Sequence, residues 1–411
     1  MMNVTYLTMM IPDGMKEEVA QKSSHNMQDA ADALEKHIYE GLCANFGFEP
    51  HIVNVLPIDS FPQYYKDALI KQTEFRLGQR TDHVNLGFCN VKLVRNSFIE
   101  QSIYKNLVQY FEKHQAKEKR ILIVYSATAS FLRAVKRVKE IYPDIIVCDI
   151  IADLPAMTNL SSKKSALLKA YIEHSAKQSQ DAINCVDCFV LLTKQMAEYL
   201  KVDKPFCVME GISSPESKGT AYQLQNKKTI LYTGTLHKKF GIMNLVEAFQ
   251  QIKDTDYELV ICGVGDSEDA IKEAAQKDKR IRFLGKLPRE QVLAWQSKAT
   301  VLVNPRQNNE EFTKYSFPSK TMEYLSSGVP LVAYKLDGIP DEYDPYIFYV
   351  NENSISCLAN TVRRVCEMPE SERAAAGKAG REFVLNQKNS TEQVKKITNL
   401  LQSVIEGNGN V

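Results

Sequence analysis

The sequence lacks any apolar run of about 18 residues, the length that a membrane-spanning helix requires, so no such helix is predicted. It also lacks a charge excess, because 51 Lys and Arg residues stand against 50 Asp and Glu residues and leave a net charge of +1. That balance gives no basis for binding nucleic acid through bulk electrostatics. No repeat and no low-complexity segment is visible, and a composition of 44% hydrophobic and 25% charged residues is that of an ordinary globular protein.

The cysteines are scattered and form no regular pattern. The nine Cys residues are an odd number, and most lie in apolar runs, which favours reduced thiols and a cytoplasmic setting. Cys185 and Cys188 form a lone Cys-x-x-Cys pair, and without a second pair no zinc site is predicted. Asp254 and Asp256 match an Asp-x-Asp metal motif but precede a strand, so we predict no metal site there either. Residues 1–11 predict a first strand and lack the basic flank of a signal peptide.

Short apolar runs alternate with helix-length segments along almost the whole chain. This alternation predicts an α/β fold, and about six strands in each half suit two doubly wound, Rossmann-like domains that face each other across a cleft. The predicted organisation is an N-terminal domain at 1–210, a linker at 211–228, a C-terminal domain at 229–385 and a final segment at 386–411. The final segment contains an amphipathic helix, which we expect to pack back on the N-terminal domain.

The stretch from Ser316 to Ala333 carries the most specific chemical signal. It predicts a loop, a helix over 319–327, a helix terminator at Gly328 and a buried strand. The first turn of such a helix offers unpaired backbone N–H groups and a positive dipole end, which together bind diphosphates. Lys320 adds a cation within that turn.

Glu323 lies one turn further along this predicted helix, on the same side as Ser319. A carboxylate beside a phosphate site is costly unless it has another task, and binding the two hydroxyls of a ribose is such a task. The helix would then bind the diphosphate and the ribose of a nucleotide sugar. The donor-binding residues predicted from this stretch are Ser316, Phe317, Pro318, Ser319, Lys320, Thr321 and Glu323.

A second cationic element is predicted between Gly234 and Gly241, where a strand runs into a loop and then a helix. Gly234 lets a ligand approach the backbone, and Lys238 and Lys239 can reach the same diphosphate from the strand end. A solvated turn is the alternative interpretation of the two lysines. The remaining predicted donor-binding residues are Gly234, Thr235, Lys286 and Arg306.

Three residues of the N-terminal half are candidates for contact with an acceptor substrate. Asp153 follows a predicted strand, where its carboxylate could bind a hydroxyl group, and a turn or helix cap is the alternative. His25 and Asn26 open the first long helix, where a plain N-terminal cap region is an equal alternative. The lysines of 161–183 accompany apolar residues, which fits an interfacial membrane helix or, more commonly, the solvated face of a core helix.

These motifs resemble the retaining glycosyltransferases of the GT-B fold, the large family-four group, and most clearly the bacterial exopolysaccharide and capsule enzymes. The likeness spans both predicted domains in architecture, and its specific motifs lie in 230–334. The block from Phe317 to Gly328 resembles the donor helix of that family. The resemblance implies a UDP- or GDP-linked sugar donor on the C-terminal domain, an acceptor on the N-terminal domain, and neither a metal nor another cofactor.

The chain departs from the family pattern at several positions. Glu323 matches the second Glu of the family's Glu-x7-Glu motif, which binds the ribose, whereas Tyr315 holds the place of the first. Thr235 replaces an Arg that commonly follows the loop glycine, and Arg306 is a candidate for the missing cation. The family's frequent acceptor-side His is absent before Asp153, and the acidic residue itself is retained.

The resemblance implies transfer of a sugar, with retention, to a glycan or a polyprenyl-diphosphate-linked acceptor in surface polysaccharide synthesis. Catalytic roles are then expected for Lys238, Lys239 and Asp153. A peripheral contact with the inner face of the plasma membrane is inferred from such an acceptor alone. Two other functions remain open: a nucleotide-sugar epimerase or hydrolase on the same fold, and a non-catalytic partner subunit, which the departures at Tyr315 and Thr235 favour.

Overall fold

The computed structural model describes residues 2–24, 29–114, 119–125, 128–152, 183–213, 227–309 and 311–407. The chain divides into two compact units. The first unit comprises Met1–Met209 together with Ser390–Val411, and the second unit comprises Glu210–Asn389.

The first unit is built on a large, mostly parallel sheet. Its strands are β1 (Met2–Thr8), β2 (His51–Asn54), β3 (Leu69–Ile70), β4 (Thr73–Leu77), β5 (Arg80–Asn85), β6 (Phe88–Cys89), β7 (Lys119–Tyr125), β8 (Ile146–Ile151), β9 (Cys188–Leu191) and β10 (Phe206–Val208). Eight of them form one sheet in the order β10-β9-β8-β7-β1-β2-β5-β4, and β3 pairs with β6. Within the large sheet only β4 and β5 pair antiparallel.

Helices cover this sheet through apolar stripes. Those that the structure describes are α1 (Lys16–Lys22), α2 (Asp29–Phe46), α3 (Arg95–Lys113), α4 (Ala129–Ile141), α5 (Lys194–Leu200) and, near the end of the chain, α12 (Ser390–Ile405). The amphipathic α12 packs against α2 within this unit. The two helices approach closely at Gly41, where a Cβ atom would overlap with Val394.

The hairpin of β4 and β5 was not predicted from the sequence, which indicated about six strands in this half. The reason is that β4 is an edge strand whose residues are mostly exposed, so it contains no apolar run. Its connection to β5 turns at Gly78, which has a φ of 66°. Edge strands of this kind carry little of the hydrophobic signal that identifies buried strands.

The second unit is a six-stranded, fully parallel sheet with helices on both faces. Its strands are β11 (Lys228–Thr233), β12 (Tyr257–Cys262), β13 (Ile281–Gly285), β14 (Val301–Asn304), β15 (Leu331–Ala333) and β16 (Ile347–Tyr349). The order is β13-β12-β11-β14-β15-β16. Numbered within this unit, the order is 3-2-1-4-5-6, which is that of dinucleotide-binding folds.

The core of the second unit lies in two layers, one on each face of the sheet. Along β11, Ile230 and Tyr232 belong to one layer and Leu231 to the other, as the alternation of side chains in a strand requires. The helices are α6 (Ile242–Gln251), α7 (Glu268–Lys277), α8 (Arg289–Lys298), α9 (Lys320–Ser326), α10 (Ile355–Glu367) and α11 (Glu370–Gln387). In the part of the chain that the structure describes, no helix is both long and apolar enough to cross a bilayer.

The segment predicted as a linker, 211–228, is only partly described. Ser213 is buried in the second unit, where its N–H donates to the carbonyl of Lys388 at 2.7 Å and its hydroxyl lies 3.1 Å from that of Ser326. Residues 214–226 lie outside the described part. The first residues after Met209 are therefore packed parts of the second unit rather than a free connection.

Candidate functional site

The predicted donor site falls at the carboxyl edge of the second unit's sheet, between β11 and β14. These strands are neighbours although β12 and β13 separate them along the chain, so the strand order reverses at this point. Such a reversal opens a crevice beyond the strand ends, where the ligands of doubly wound domains bind. Gly234 directly follows β11, and Arg306 lies just beyond the end of β14.

The loop after β11 depends on two glycines. Gly234 has a φ of 132°, which other residues rarely adopt, and a Cβ atom there would overlap with the end of the Lys320 side chain. Gly241 has a φ of 77°, and a Cβ atom there would overlap with the carbonyl oxygen of Pro305. The loop can therefore contact Lys320 at one end and the backbone after β14 at the other.

Lys320, the first residue of α9, extends a half-buried side chain along Gly234. Its ammonium donates to the Tyr232 hydroxyl with an Nζ–Oη distance of 2.9 Å and lies 4.5 Å from the centre of that ring. Burial lowers the pKa of Lys320 to about 8; the Glu323 carboxylate opposes this shift and the Arg306 guanidinium adds to it. Across 227–309 and 311–407 the structure shows no ion pair of Lys320.

Arg306 supplies a second cation, and its side chain is buried. Its Nη2 donates to Ser316 Oγ at 2.7 Å, and the guanidinium carbon lies 5.6 Å from the centre of the Phe240 ring. Burial lowers the pKa of Arg306 to about 10, and the Tyr232 hydroxyl acts in the opposite direction. Two desolvated cations are therefore close enough to repel each other, an arrangement that a bound anion would stabilise.

The start of α9 differs from the sequence prediction. Ser319 already has helical backbone angles, φ −50° and ψ −28°, and its side chain makes no capping hydrogen bond. The N–H of Thr321 instead donates to the carbonyl of Pro318 at 2.8 Å. A backbone turn, and not a side-chain cap, thus satisfies that part of the first turn. The turn also uses one N–H group that we predicted to be available to a diphosphate.

Glu323 lies on α9 with its side chain 30% exposed. Its Oε1 accepts a hydrogen bond from Nε2 of Gln296, and its Oε2 lies 3.5 Å from Nη1 of Arg289. The adjacent Tyr324 hydroxyl accepts from the N–H of Thr233 at 2.8 Å and donates to the carbonyl of the same residue at 2.9 Å. The helix that carries Glu323 is thereby attached to the end of β11, next to Gly234.

Three further predicted donor residues are buried. Phe317 packs with its ring centre 5.4 Å from that of Tyr343, in one layer of the core. Pro318 is buried beside it. Thr321 is fully buried, and its hydroxyl has no hydrogen-bond partner among the described residues. Phe317 and Pro318 thus fix the loop before α9, and donor contact by any of the three stays a prediction.

The remaining predicted residues are exposed or lie outside the described part. The exposed ones are Thr235, Lys238, Lys239, Lys286 and Ser319. The backbone N–H of Lys238 donates to Asp266 at 2.9 Å, and the Lys239 ammonium lies 5.3 Å from the centre of the Phe240 ring. Their roles stay predictions. Asp153, His25 and Asn26 lie outside the described residues.

Sequence reasoning missed three polar residues that organise this site: Tyr232, Gln296 and Tyr324. The two tyrosines lie in segments whose apolar residues predict core packing. Their hydroxyl groups bond to residues far away in the chain, and such contacts cannot be predicted from local sequence. Gln296 did carry a signal, because it lies four residues after Val292, on a face where an apolar residue is expected.

The first unit has its own buried polar cluster at the carboxyl end of β1. The N–H of Met9 donates to Oε2 of Glu35 at 2.7 Å, and the Thr8 hydroxyl donates to the same oxygen. The N–H of Ile11 donates to Oδ1 of Asp32 at 2.6 Å. Burial raises the pKa of Glu35 to about 8, although its bonds to Thr8 and Met9 act to lower it. The acidic side chains of α2 thus hold the loop that follows β1.

We expect Glu35 to make the first unit less stable as the pH rises. Between its ordinary pKa of 4.5 and about 8 it stays protonated in the folded state and ionises in the unfolded state, so the stability present at low pH is lost across that range. The loss amounts to about 3 kcal/mol at pH 7. Hydrogen exchange of the β1 amides at several pH values measures the free energy of unfolding of the first unit. We expect this free energy to fall with rising pH in the wild type and to fall less in Glu35→Gln. An equal fall in both proteins would contradict the raised pKa of Glu35.

His51, Asp82 and His83 present possible metal-ligand atoms within 4.8 Å of one another in the first unit. The imidazole of His83 already accepts from the N–H of Ile52 at 3.1 Å, and its other nitrogen bonds to a backbone carbonyl. Arg80 donates to the Asp82 carboxylate at 2.6 Å. These bonds already use both nitrogens of His83 and the Asp82 carboxylate, whereas the buried Nδ1 of His51 has no hydrogen-bond partner among the described residues. With two of its three members already bonded, the cluster carries no metal assignment.

Comparison with known proteins agrees with this architecture. Residues 217–383 match the family model of glycosyl transferases group 1. WcaL of Escherichia coli (strain K12), provisionally named a colanic acid biosynthesis glycosyltransferase, is 26% identical over 182 residues, which are 43% of this chain and 45% of that protein. The alignment thus spans about half the length of this curated relative.

Solved structures extend the similarity to the whole chain. Sucrose-phosphate synthase from Thermosynechococcus elongatus has a TM-score of 0.60 at 16% identity, over 98% of this chain and 100% of that one. A glycosyltransferase from Rickettsia africae has a TM-score of 0.62 at 13% identity, over 98% and 99%. The fold is therefore that of the GT-B glycosyltransferases, and the predicted α/β class with two Rossmann-like domains is confirmed. The match over 217–383, which covers less than half of the chain, agrees with the predicted resemblance to glycosyltransferases in that part of the sequence.

Proposed function

We propose that this chain is a retaining, metal-independent glycosyltransferase that moves a hexosyl group from a UDP- or GDP-linked donor to a glycan or lipid-linked acceptor. The observation that carries the proposal is the pair of desolvated cations, Lys320 and Arg306, where the strand order of the second unit reverses. The family match over 217–383 supports transferase chemistry. The similarity to WcaL supports a role in exopolysaccharide synthesis.

The cations would act on the leaving group. When the bond between the anomeric carbon and the diphosphate breaks, negative charge develops on the diphosphate while the sugar becomes oxocarbenium-like. The half-buried Lys320 and the buried Arg306 would neutralise that charge, and Lys238 and Lys239 could add to it from the Gly234 loop. Each such preorganised contact commonly contributes about 10²–10³-fold in rate. Glu323 would bind the ribose hydroxyls.

Retention requires the acceptor to attack from the face that the diphosphate leaves. An oxygen of the departing diphosphate can take the acceptor proton on that face, so the step needs no protein nucleophile and no metal. Binding of an acceptor hydroxyl by Asp153 and contact of His25 and Asn26 with the acceptor remain part of this proposal. A polyprenyl-diphosphate-linked acceptor would bring the chain to the cytoplasmic face of the plasma membrane.

The proposed function is tested by incubating the full chain with UDP- and GDP-hexoses and following release of the nucleoside diphosphate. The acceptor is a membrane lipid extract that contains polyprenyl-diphosphate-linked glycans. We expect release that requires the extract, persists in EDTA and gives a product with the anomeric configuration of the donor, as read by NMR.

Each alternative function has its own outcome in this assay. Release without any acceptor would indicate a hydrolase, and conversion of the donor sugar into an isomer would indicate an epimerase. Failure to bind any nucleoside diphosphate in calorimetry would indicate a non-catalytic subunit. Loss of turnover in EDTA would contradict the metal-independent mechanism.

A further inference from the structure

The Glu323 carboxylate is held from inside the protein by a residue that has no role in the chemistry described so far. Gln296 lies on α8, and its side chain is completely buried. Its Nε2 donates two hydrogen bonds, one to Oε1 of Glu323 and one, at 2.9 Å, to Oγ1 of Thr233. The orientation of the amide is fixed by this pairing, because the opposite orientation would place its oxygen against a carboxylate.

Burying this amide has a cost that packing alone does not explain. Its Oε1 has no hydrogen-bond partner among the described residues, and a buried, unsatisfied carbonyl costs as much stability as a whole hydrogen bond contributes. An apolar side chain of similar size would avoid that cost. We conclude that glutamine is needed at this position for the hydrogen bonds that its NH₂ group donates.

The bond from Gln296 differs from the second contact of the same carboxylate. Arg289 reaches Oε2 of Glu323 at 3.5 Å, and its side chain is 59% exposed. An exposed pair at that distance holds a side chain weakly. The buried amide, in contrast, acts where water does not compete, and Thr233 anchors it to the end of β11.

We propose that Gln296 is a positioning residue, which holds the Glu323 carboxylate so that it binds the vicinal hydroxyls of the donor's ribose and selects ribonucleotides over deoxyribonucleotides. This inference rests on the proposed donor site. Gln296 fixes Oε1, which leaves Oε2, contacted at 3.5 Å by the exposed Arg289, to accept from the ligand. Without the amide the carboxylate would rotate among several conformations. A nucleotide with the ribose hydroxyl would then bind hardly more tightly than one that lacks it.

The test compares the affinity of the full chain for UDP and GDP with that for their 2′-deoxy and 3′-deoxy counterparts, measured by isothermal titration calorimetry. For the wild type we expect the ribonucleotide to bind about 10–100-fold more tightly, which is the value of a hydrogen bond to a charged group. In Gln296→Met, which keeps the volume and removes both bonds, the ratio should fall to about threefold or less, with the deoxynucleotide affinity nearly unchanged.

Two comparisons separate positioning from general damage. In a Glu323→Ala background the Gln296→Met change should have no further effect on the ratio, since the carboxylate that it positions is gone. Arg289→Met, which removes the exposed partner of the same carboxylate, should keep the wild-type ratio. Should Gln296→Met not fold, Thr233→Val serves instead: it preserves shape, removes one acceptor of the amide and should lower the ratio in the same direction.

The possible failures are distinguishable. A wild type that binds none of the nucleotides overturns both the donor site and this inference. A wild type that binds ribo- and deoxynucleotides equally overturns the ribose assignment of Glu323 and leaves the diphosphate site intact. A Gln296→Met variant that keeps the wild-type ratio, or weakens all nucleotides by one common factor, overturns the positioning role alone.

Discussion

Lys320→Met should lower turnover with a nucleotide-sugar donor by about 10²–10³-fold, because it removes a preorganised cation from the position where the leaving diphosphate develops charge. Methionine fills the space beside Gly234 and Tyr232 without the charge, and the variant should fold. The measurement is kcat/KM for the donor. Lys279→Met, which removes an exposed lysine of the same unit, is the matched control and should keep wild-type activity.

The same lysine should make nucleotide binding by the wild type depend on pH. Because the pKa of Lys320 is lowered to about 8, its ammonium is charged below that pH and becomes neutral above it. Affinity for a nucleoside diphosphate should therefore fall as the pH rises through about 8, and Lys320→Met should show no such fall. A variant with wild-type turnover and a wild-type pH profile would remove Lys320 from the site.

Lys388→Met should have the largest effect on stability, a loss of about 3–5 kcal/mol in the second unit. Lys388 and Glu210 are each 1% exposed, and the Lys388 Nζ lies 2.6 Å from a Glu210 oxygen. The same ammonium contacts Glu342 at 2.5 Å and lies 5.1 Å from the centre of the Tyr343 ring. Removal of the lysine would leave the Glu210 carboxylate buried without its cation.

The fluorescence of the single tryptophan reports this unfolding, because Trp295 packs against the core of the second unit. The double variant Glu210→Gln/Lys388→Met should recover much of the loss, since it leaves no buried charge unpaired. Lys378→Met, whose exposed pair with Glu382 spans 3.7 Å, should change stability by less than about 1 kcal/mol. Equal effects at Lys378 and Lys388 would contradict the role of the buried pair.

The alternation of apolar runs and helical segments was enough to predict the class of the fold. Each of the six strands of the second unit contains a short apolar run, which is typical of strands in a parallel sheet that is covered by helices on both faces. The hairpin around Gly78 could not be predicted in the same way, because its outer strand is exposed and its register depends on pairing rather than on burial.

In the candidate site, too, the sequence predicts some features and the three-dimensional packing decides the others. Gly234, Lys320, Arg306 and Glu323 could be predicted because loop glycines and charged residues after strands are visible in a sequence. The contacts that set their chemistry could not, since Tyr232 and Gln296 act through hydrogen bonds across long stretches of chain. The low pKa of Lys320 depends on how much of its side chain is buried, which three-dimensional packing alone decides.

The most direct test of the central claim is a structure of the protein with a bound nucleoside diphosphate. The account predicts phosphate oxygens within hydrogen-bond distance of the Lys320 ammonium, beside Arg306 and the Gly234 backbone, and ribose hydroxyls on the Glu323 carboxylate. A nucleotide bound away from the reversal point of the second unit's sheet, with the Lys320 ammonium still bonded only to Tyr232, would contradict it.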